Sequence, residues 1–589
     1  MSIILHWRDV RCELLKPYKV ILDDACGAAA LGRVSAILGP SGAGKSTLLQ
    51  VLAGRLEKAR GLCLSGTLSR DPQTPRASFI YQEDAFYSRL SVLETLAFAA
   101  ALRLPAQEAS QRSADIILTM GLNDVANSIV GSVTVRGISG GERKRLAIGC
   151  ELLAEARSTL FADEPTSGLD SYQALRTLEA LRSAAAGLRA VILTVHQPSA
   201  RLMACFDDAT LLGVGGRTLY YGPCADMQRS IEARPISLGT QPSMSSSAEW
   251  MLEIASIDPS AEAKSQRRIA LLALAWRDEW NQQQEALHLP LQALIDAATV
   301  STQASACQTA WMTQFRWSLW RAWRQSAPSM ALLFARIMGT LVTGAMFGFI
   351  FFGLPPSNVK ARVGLLQVMT NYIGMTSALR AVRVLQDGEA VVVRRERASG
   401  ALRLLPYFLG KVAASLPMSF ALPALLVAVT RPMAGLAAPL LPLALLLALE
   451  TIAASSLGLA AGACAPSLDV GLESAKAVMT LSTVFGGLYF DVTTLPWALH
   501  WVPRTSLVRI AWDGALAAEA AALAVLPGDA ATTAAQLAKE APRGSTAPFE
   551  LATMAVALLL VAFAALAAKA PRFQQVCPAP SAHQKRKDD

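Results

Sequence analysis

The 589-residue sequence is poor in charged residues, in aromatic residues and in paired cysteines. Charged residues make up 17% of the chain and aromatic residues 6%, whereas hydrophobic residues reach 52%. Its nine cysteines form no Cys-x-x-Cys pair and show no metal-ligand spacing. This pattern excludes the usual zinc motifs and predicts free thiols in a mainly cytosolic setting. No Asn-x-Ser/Thr sequence is present, so N-glycosylation is not expected.

The N-terminus also lacks an apolar run long enough for a signal peptide, so we expect membrane insertion to depend on later, internal spans. The net charge of +9 is by itself compatible with nucleic-acid binding. Many basic residues, however, flank apolar runs after about residue 330, where the positive-inside rule accounts for them. We therefore expect membrane lipid, and no nucleic acid, among the partners.

A glycine-rich stretch stands directly between an apolar run and a helical pattern. It reads Gly39-Pro40-Ser41-Gly42-Ala43-Gly44-Lys45-Ser46-Thr47. Its spacing and its context are those of a P-loop. We expect its backbone N–H groups and Lys45 to bind the β- and γ-phosphates of ATP, and the Ser46 hydroxyl to ligate Mg²⁺. A plain glycine turn would need every one of these positions to coincide by chance.

Polar residues follow three later apolar runs that read as strands. Gln82 ends the first run, and we predict that its side chain reaches Mg²⁺ and the attacking water. Asp163 and Glu164 end the second, with Asp163 predicted at the Mg²⁺ water shell and Glu164 as the base that polarises the attacking water. His196 ends the third, where we expect it at the γ-phosphate. A lone strand-end histidine is more often structural, but its place after the other motifs favours the functional role.

Ser139-Gly140-Gly141 precedes another helical run and presents a second set of bare backbone N–H groups at a helix N-terminus. This second anion site has no lysine of its own. One nucleotide bound to this chain would need only one such site. The two sites make sense if each serves a different nucleotide.

Taken together, these motifs resemble an ATP-binding cassette. The run Arg136–Arg145 and the position of the cassette before the apolar half resemble the G-type (White/Brown complex) half-transporters. The resemblance implies an α/β P-loop ATP-binding cassette followed by an all-α transmembrane domain with six helices. It also implies ATP and Mg²⁺ as cofactors, and it places Asp170 among the nucleotide-binding residues. In that family two cassettes pair head to tail, so the partner would be a second half-transporter, in a homodimer or a heterodimer.

The expected domain order is a cassette at 1–255, a linker at 256–310, an interfacial connecting helix at 311–336, a transmembrane domain at 337–570 and a basic cytosolic tail at 571–589. Six charge-poor runs are long enough, or nearly so, to span a bilayer. They are Ile337–Leu354, Val363–Leu379, Val412–Thr430, Pro439–Gly462, Ala477–Phe490 and Leu551–Ala568. Six spans place both termini in the cytosol and leave 491–550 as a loop.

The resemblance further implies a substrate cavity at the dimer axis between spans two and five. Its predicted residues are Asn371, Tyr372, Met375, Lys476, Thr480 and Leu488. Arg395-Glu396-Arg397, between spans two and three, resembles the cytosolic coupling segment of the family, and a stop-transfer flank is compatible with the same residues. Glu450 falls inside span four, where an ionisable group normally faces a cavity or a partner. Glu473 and Lys476 are spaced for an i, i+3 pair.

The sequence is therefore interpreted as a dimeric half-transporter that uses ATP to export or flip a hydrophobic or amphipathic substrate such as a lipid, sterol or xenobiotic. Lys476 admits an amphipathic or acidic substrate. The alternative is a membrane-bound cassette ATPase that regulates a channel or partner; a soluble cassette ATPase conflicts with the apolar half. We expect a multi-pass protein of the plasma membrane. The end Lys585–Asp589 resembles an endoplasmic-reticulum retrieval signal, or a basic tail that holds lipid head groups.

Overall fold

A computed structural model of the chain describes the following residues: 3–71, 77–132, 135–153, 158–187, 189–236, 246–287, 309–326, 330–386, 389–487, 496–526 and 529–576. The chain divides into two compact units. The first, the cassette unit, contains Met1–Thr313, Arg395–Leu402 and Pro571–Asp589. The second, the membrane unit, contains Gln314–Arg394 and Arg403–Ala570.

The cassette unit is built on two sheets. A three-stranded antiparallel sheet has the order β2-β1-β4, with β1 at Ile3–Leu15, β2 at Tyr18–Ala30 and β4 at Leu62–Arg70. A six-stranded sheet has the order β5-β6-β7-β3-β8-β9. Its strands are β3 Val34–Leu38, β5 Ser78–Ile80, β6 Thr159–Ala162, β7 Ala190–Thr194, β8 Asp208–Gly213 and β9 Arg217–Pro223.

Strands β5, β6, β7, β3 and β8 run parallel, and only β9 pairs antiparallel. Every residue of β3, β6 and β7 is buried, as expected where both faces of a parallel sheet are covered. The carboxyl ends of parallel strands meet at one edge of the sheet, where ligands bind in open α/β sheets. This topology gathers the polar residues that follow β3, β5, β6 and β7.

Nine helices are described in the cassette unit. They are α1 Lys45–Leu52, α2 Val92–Arg103, α3 Ala106–Thr119, α4 Gly140–Leu152, α5 Ser171–Ala186, α6 Ala200–Met203, α7 Met227–Glu232, α8 Ser247–Ala255 and α9 Glu262–Leu287. Both α4 and α8 begin with a capping box, in which a serine hydroxyl accepts from the backbone three residues on and a glutamate reaches back. The serine–glutamate pairs are Ser139–Glu142 and Ser246–Glu249.

The membrane unit is helical. Its described helices are α10 Trp311–Ser326, α11 Met330–Ile350, α12 Val359–Gln386, α13 Glu389–Ala398, α14 Leu404–Ala434, α15 Leu440–Cys464, α16 Leu468–Val484, α17 Val502–Thr505, α18 Leu507–Leu523, α19 Asp529–Glu540 and α20 Ala547–Ala568. The first residues of α10 and the last residues of α13 belong to the cassette unit.

Four described helices are long and apolar enough to cross a membrane: Leu332–Ile350, Leu404–Ala434, Leu440–Cys464 and Ala547–Ala568. The predicted second span corresponds to α12, which carries Lys360 and Arg362 near its start and Arg380 and Arg383 near its end. The predicted fifth span corresponds to α16, which is 17 residues long and begins with charged residues. The count of six spans therefore stays a prediction.

The segment 491–550 is not the plain loop that the sequence predicts, because three described helices, α17 to α19, lie in it. In α18 the charged residues Arg509, Asp513 and Glu519 interrupt the apolar pattern, which hides the helix from a hydropathy reading. The structure pairs each of these charges. Arg509 contacts Asp513 one turn later at 3.0 Å, and Glu519 pairs with Arg362.

Arg362, near the start of α12, and Glu519, near the end of α18, form a buried ion pair. Both side chains are almost fully buried, at 1% and 0% exposure. The Glu519 carboxylate also accepts a backbone N–H from Ala438 at 2.8 Å, and Arg362 donates to the Leu354 and Gly435 carbonyls at 2.9 and 3.1 Å. A buried ion pair is stable only when such extra hydrogen bonds satisfy its remaining groups. The pair thereby ties α12 and α18 to the turn before α15.

Candidate nucleotide site

The P-loop, between β3 and α1, has a backbone that only glycine can follow. Gly39, Gly42 and Gly44 have φ angles of 153°, 78° and 89°. A Cβ at Gly39 would lie 2.5 Å from the Leu212 carbonyl oxygen, and one at Gly44 would lie 2.8 Å from the Ile21 carbonyl oxygen. The loop therefore approaches two neighbouring backbone segments where no side chain fits. This close curvature turns successive N–H groups towards one point, which is the geometry of a phosphate cradle.

The Lys45 ammonium lies inside the curve of the P-loop. Its Nζ donates to the carbonyl oxygens of Gly39 at 2.8 Å and Pro40 at 3.0 Å. Burial lowers the pKa of Lys45, and the nearby carboxylates of Glu164 and Asp163 act in the opposite direction. A buried cation among backbone donors has the charge and position that a polyphosphate requires.

The buried carboxylate of Asp163 joins three parts of the site. Its Oδ1 accepts a hydrogen bond from the Ser46 hydroxyl at 2.8 Å and another from the Thr194 hydroxyl at 2.7 Å. Ser46 lies at the start of α1, Asp163 follows β6 and Thr194 ends β7. A hydroxyl and a carboxylate oxygen that converge in this way are ligands that Mg²⁺ accepts, usually together with phosphate oxygens and water. The residues present therefore fit the metal.

Glu164 is held in an unusual backbone conformation. Its φ angle of 45° is rare for a residue with a side chain and stores strain that the surroundings must offset. Its N–H donates to the Thr194 hydroxyl at 2.8 Å, and its Oε2 accepts from Gln82 Nε2, also at 2.8 Å. Residues at the ends of β5 and β7 thus both bond to Glu164, one to its carboxylate and one to its backbone, and the predicted trio Gln82, Asp163 and Glu164 lies together.

His196, predicted at the γ-phosphate, is exposed just after β7. Asp170, predicted to bind nucleotide, caps α5 by accepting the Gln173 N–H at 2.8 Å. The signature Ser139-Gly140-Gly141 starts α4, and a Cβ added at Gly140 would meet nothing within 4 Å. Within the described residues, no hydrogen bond joins this signature to the P-loop. The two anion sites of one chain are therefore separate features of its surface.

Two residues of this region were not predicted from the sequence. Thr194 is one, because it reads as the last residue of a buried apolar strand. Lys144 is the other, since it lies in the basic run Arg143-Lys144-Arg145 and reads as part of a solvated face. It is instead 3% exposed, and its Nζ donates to the Tyr81 and Gln82 carbonyls at 3.2 and 2.9 Å and to Asp84 Oδ1 at 3.0 Å. Lys144 thereby fastens the signature helix to the segment that carries Gln82.

The predicted coupling residues contact the same segment. The Arg395 guanidinium donates to the Glu83 carbonyl at 2.7 Å and lies over the Tyr81 ring, 4.2 Å from its centroid. Glu396 and Arg397 follow in the part of the chain, Arg395–Leu402, that belongs to the cassette unit. The backbone on both sides of Gln82 therefore has two cationic neighbours, Lys144 from α4 and Arg395 from α13.

The predicted substrate-cavity residues point in different directions. Asn371 Oδ1 accepts from the Thr483 hydroxyl at 2.5 Å, which joins α12 to α16. The Tyr372 hydroxyl instead accepts from Thr343 at 3.4 Å and faces α11. Met375 is half-buried, whereas Thr480 is exposed. Lys476 is exposed and forms the expected pair with Glu473 at 3.7 Å, and Leu488 lies outside the described residues.

Glu450 is fully buried in α15. A Cβ added at Gly374 would lie 3.1 Å from its Oε1, and Met479 lies on the same side. Neither carboxyl oxygen has a hydrogen-bond partner among the residues that the structure describes. Glu450 thus faces the packed centre of the membrane unit, not the exposed face that carries Lys476.

Comparison with known proteins agrees with this geometry. Residues 22–167 match the family described as "ABC transporter", and residues 313–520 match the family described as "ABC-2 type transporter". The chain is 35% identical to "ABC transporter G family member 7" of Arabidopsis thaliana over 87% of its length and 73% of that protein. It is 30% identical to "Protein white" of Drosophila melanogaster, covering 95% and 84% of the two chains.

A third relative is the "Broad substrate specificity ATP-binding cassette transporter ABCG2" of Rattus norvegicus, which is 30% identical over 83% of this chain and 78% of that one. Fold and site define an ATP-binding cassette ATPase joined to a helical membrane domain. The chain belongs to the G family of ABC transporters. It is an integral membrane protein that binds ATP and couples ATP hydrolysis to transport.

Thr194→Val tests the role of the hydroxyl that the sequence did not reveal. The substitution removes one hydrogen bond to the Asp163 carboxylate and leaves the Glu164 N–H without its acceptor. We expect kcat for ATP hydrolysis to fall about tenfold, since a hydrogen bond to a charged group contributes roughly 1.5–3 kcal/mol. The measurement is steady-state ATPase activity of the purified chain in lipid.

Thr177→Val is the matched control. Thr177 is fully buried in α5, and its hydroxyl has no hydrogen-bond partner among the described residues. Its ATPase activity should equal that of the wild type. Equal losses in both variants would mean that Thr194 acts only through packing.

Proposed function

We propose that this protein exports or flips a hydrophobic or amphipathic substrate, such as a lipid, sterol or xenobiotic. The observation that carries the proposal is the complete set of ATPase groups, from Lys45 to Glu164, on a chain whose second unit contains membrane-spanning helices. The printed name of the rat relative describes a transporter of broad substrate specificity. This name supports transport of substrate by such a chain, and it selects no chemical class of substrate.

The cassette residues have distinct roles in the proposed reaction. The N–H groups of Gly39–Gly44 and the Lys45 ammonium bind the β- and γ-phosphates, with Pro40, Ser41, Ala43 and Thr47 completing the loop. Mg²⁺, when bound, neutralises phosphate charge, and Ser46, Asp163 and Gln82 are the residues that would hold it. Glu164 accepts a proton from the attacking water, and Thr194 keeps its backbone in place. His196 contacts the γ-phosphate from the end of β7.

A second copy of the cassette, from the same or a different half-transporter, completes each site in this proposal. Ser139, Gly140 and Gly141 would approach the ATP bound to the P-loop of the partner, with Asp170 beside them. The separation of the two anion sites within one chain supports this arrangement, because α4 begins with free space over Gly140. Helix N-termini of this kind bind phosphate without a lysine.

The substrate cavity is proposed between α12 and α16 at the dimer axis. Its proposed residues are Asn371, Tyr372 and Met375 on α12, Lys476 and Thr480 on α16, and Leu488. The exposure of Lys476 and Thr480 supports a surface that faces a second copy or a substrate. We propose cytosolic termini and the plasma membrane as the location, with the endoplasmic reticulum as the second candidate.

Transport itself is tested with the purified chain in proteoliposomes. We expect ATP to drive movement of a fluorescent phospholipid, sterol or amphipathic drug across the bilayer, and vanadate to stop it. Glu164→Gln keeps ATP binding and removes the base, so hydrolysis and movement should both fall about a hundredfold or more. Glu179→Gln, on the surface of α5, is the control that should behave as the wild type.

One outcome would contradict transport by this chain alone: the wild type hydrolyses ATP, Glu164→Gln does not, and the wild type still moves no compound of the panel. That result would favour the regulation of a channel or partner. Movement of one lipid class, lost with hydrolysis, would identify the substrate class.

Coupling is proposed to pass through the backbone at Tyr81–Asp84. Gln82 touches Glu164 on one side of this segment, while Arg395 contacts Tyr81 and Glu83 on the other. Arg395 lies in the chain between α12 and α14, so a displacement of either helix pulls directly on it. In this proposal, a change in the position of Glu164 during ATP hydrolysis is transmitted to the membrane helices through Tyr81–Asp84.

Arg395→Gln tests this coupling. The variant loses a charged hydrogen bond and the contact with the Tyr81 ring, so we expect substrate movement per ATP hydrolysed to fall about tenfold. Basal ATPase activity should change by less than about twofold, because no catalytic group is removed. The ratio of transport to hydrolysis, measured in the same proteoliposomes, is the readout.

Arg201→Gln, at an exposed position of α6, is the control for the loss of one surface charge. A parallel fall of hydrolysis and transport in Arg395→Gln would show that Arg395 supports catalysis and not coupling.

A further inference from the structure

A cavity inside the membrane unit contains two arginines. It lies between α11, α12, α14 and α15 and has a volume of about 400 Å³. This is within the usual size of small-ligand sites, roughly 300–1,000 Å³. Arg336 of α11 and Arg380 of α12 line it, and no aspartate or glutamate is among its described lining residues. Two cations in one membrane cavity therefore lack a protein counter-ion in the described part of the chain.

Both arginines line this one cavity, so two positive charges share the same enclosure. Arg380 is held by its own helix, since its Nε donates to the Thr376 carbonyl at 2.9 Å and its Nη2 lies 3.4 Å from the hydroxyls of Thr376 and Ser377. These neutral groups orient the arginine but supply no negative charge. Like charges placed side by side are unfavourable unless an anion lies between them. Arginine pairs of this kind suit a phosphate or a carboxylate, which each guanidinium can bind through two N–H groups.

The part of the cavity lining that α14 supplies is apolar. It consists of Met418, Leu422, Pro423 and Leu426. Near the cavity the outer face of α11 carries exposed apolar side chains, including Phe334 and Val342. A Cβ added at Gly339, between them, would meet nothing within 4 Å, so the wall is open at that point. A ligand there can place a charged head between the arginines and an apolar chain along the helices.

We propose that Arg336 and Arg380 form the head-group site for an anionic amphiphile, with a phosphate or carboxylate head and at least one hydrocarbon chain. Arg336 lies near the start of α11 and Arg380 near the end of α12, the same end of two consecutive antiparallel helices. In the orientation proposed above, this end lies at the cytosolic leaflet, which carries anionic lipids. The site is separate from the exposed face that carries Lys476, and it does not depend on ATP hydrolysis.

The test measures lipid binding to the delipidated full-length chain by native mass spectrometry, without ATP. The probes are dioleoyl phosphatidylglycerol and dioleoyl phosphatidylcholine, which share their chains and differ in head-group charge. The wild type should bind the anionic lipid about tenfold more tightly. The double substitution Arg336→Gln/Arg380→Gln should abolish this preference. Arg336→Lys/Arg380→Lys should keep a smaller part of it, since lysine retains the positive charge but cannot bind the head group through two N–H groups of one plane.

Two further variants separate the site from general effects. Arg383→Gln removes an exposed arginine of the same helix that does not line the cavity, and the preference should remain. Gly339→Phe keeps both arginines and fills the opening, so the anionic lipid should be lost. Inorganic phosphate should compete only weakly, because it has no chain to pack against α14.

Equal binding of the two lipids by the wild type would overturn the proposal. So would a preference that survives both the double glutamine substitution and Gly339→Phe. Because binding is measured without nucleotide, absence of transport in the preceding assays has no bearing on this result. Once binding is shown, a transport assay with labelled phosphatidylglycerol identifies the role of the lipid. If the lipid crosses the bilayer with ATP, it is a substrate; if it changes ATPase activity without crossing, it is a resident regulator. Either result supports the site.

Discussion

One buried carboxylate holds the nucleotide site together. Asp163 accepts hydrogen bonds from Ser46 at the start of α1 and from Thr194 at the end of β7, and the same threonine hydroxyl fixes the backbone of Glu164. Because parallel strands bring all of these residues to one sheet edge, a shift of any strand would displace the proposed metal-binding groups and the proposed base together. The strained φ angle of Glu164 persists because its neighbours hold it from two sides.

The short stretch Tyr81–Asp84 extends this local order to the rest of the cassette. Gln82 reaches Glu164, Lys144 bonds to the backbone from the signature helix, and Arg395 contacts the stretch from the proposed coupling segment. Burial raises the pKa of Asp84, and the adjacent Lys144 opposes that shift. Because Lys144 and Arg395 both donate hydrogen bonds to backbone carbonyls of this stretch, its position is fixed from two sides. The stretch therefore joins the signature helix and the Arg395 segment to Gln82, the residue that contacts Glu164.

Motifs with fixed spacing made the cassette predictable, because a phosphate cradle allows few alternatives to glycine, lysine and a hydroxyl. The parallel strands followed from their continuous apolar runs. Thr194 and Lys144 were not predictable, since their roles arise from neighbours distant in sequence. In the membrane unit, α18 was hidden by charges that are paired in the fold, Arg509 with Asp513 one turn on and Glu519 with Arg362 of α12. Likewise, the adjacent residues Asn371 and Tyr372 contact different helices, α16 and α11, and the sequence alone does not show which helix each residue faces.

The most direct test of whether each ATP is bound between two chains is the ATPase activity of mixed dimers, in which each copy carries a different inactivating substitution. Lys45→Ala disables the P-loop, and Gly140→Asp places a carboxylate over the signature in open space; each variant alone should be inactive. Co-expressed, they form mixed dimers with one intact P-loop facing one intact signature, so roughly a quarter of wild-type ATPase activity should return under random pairing. No recovery in mixed dimers isolated with two different tags would contradict sharing of ATP between two copies of this chain.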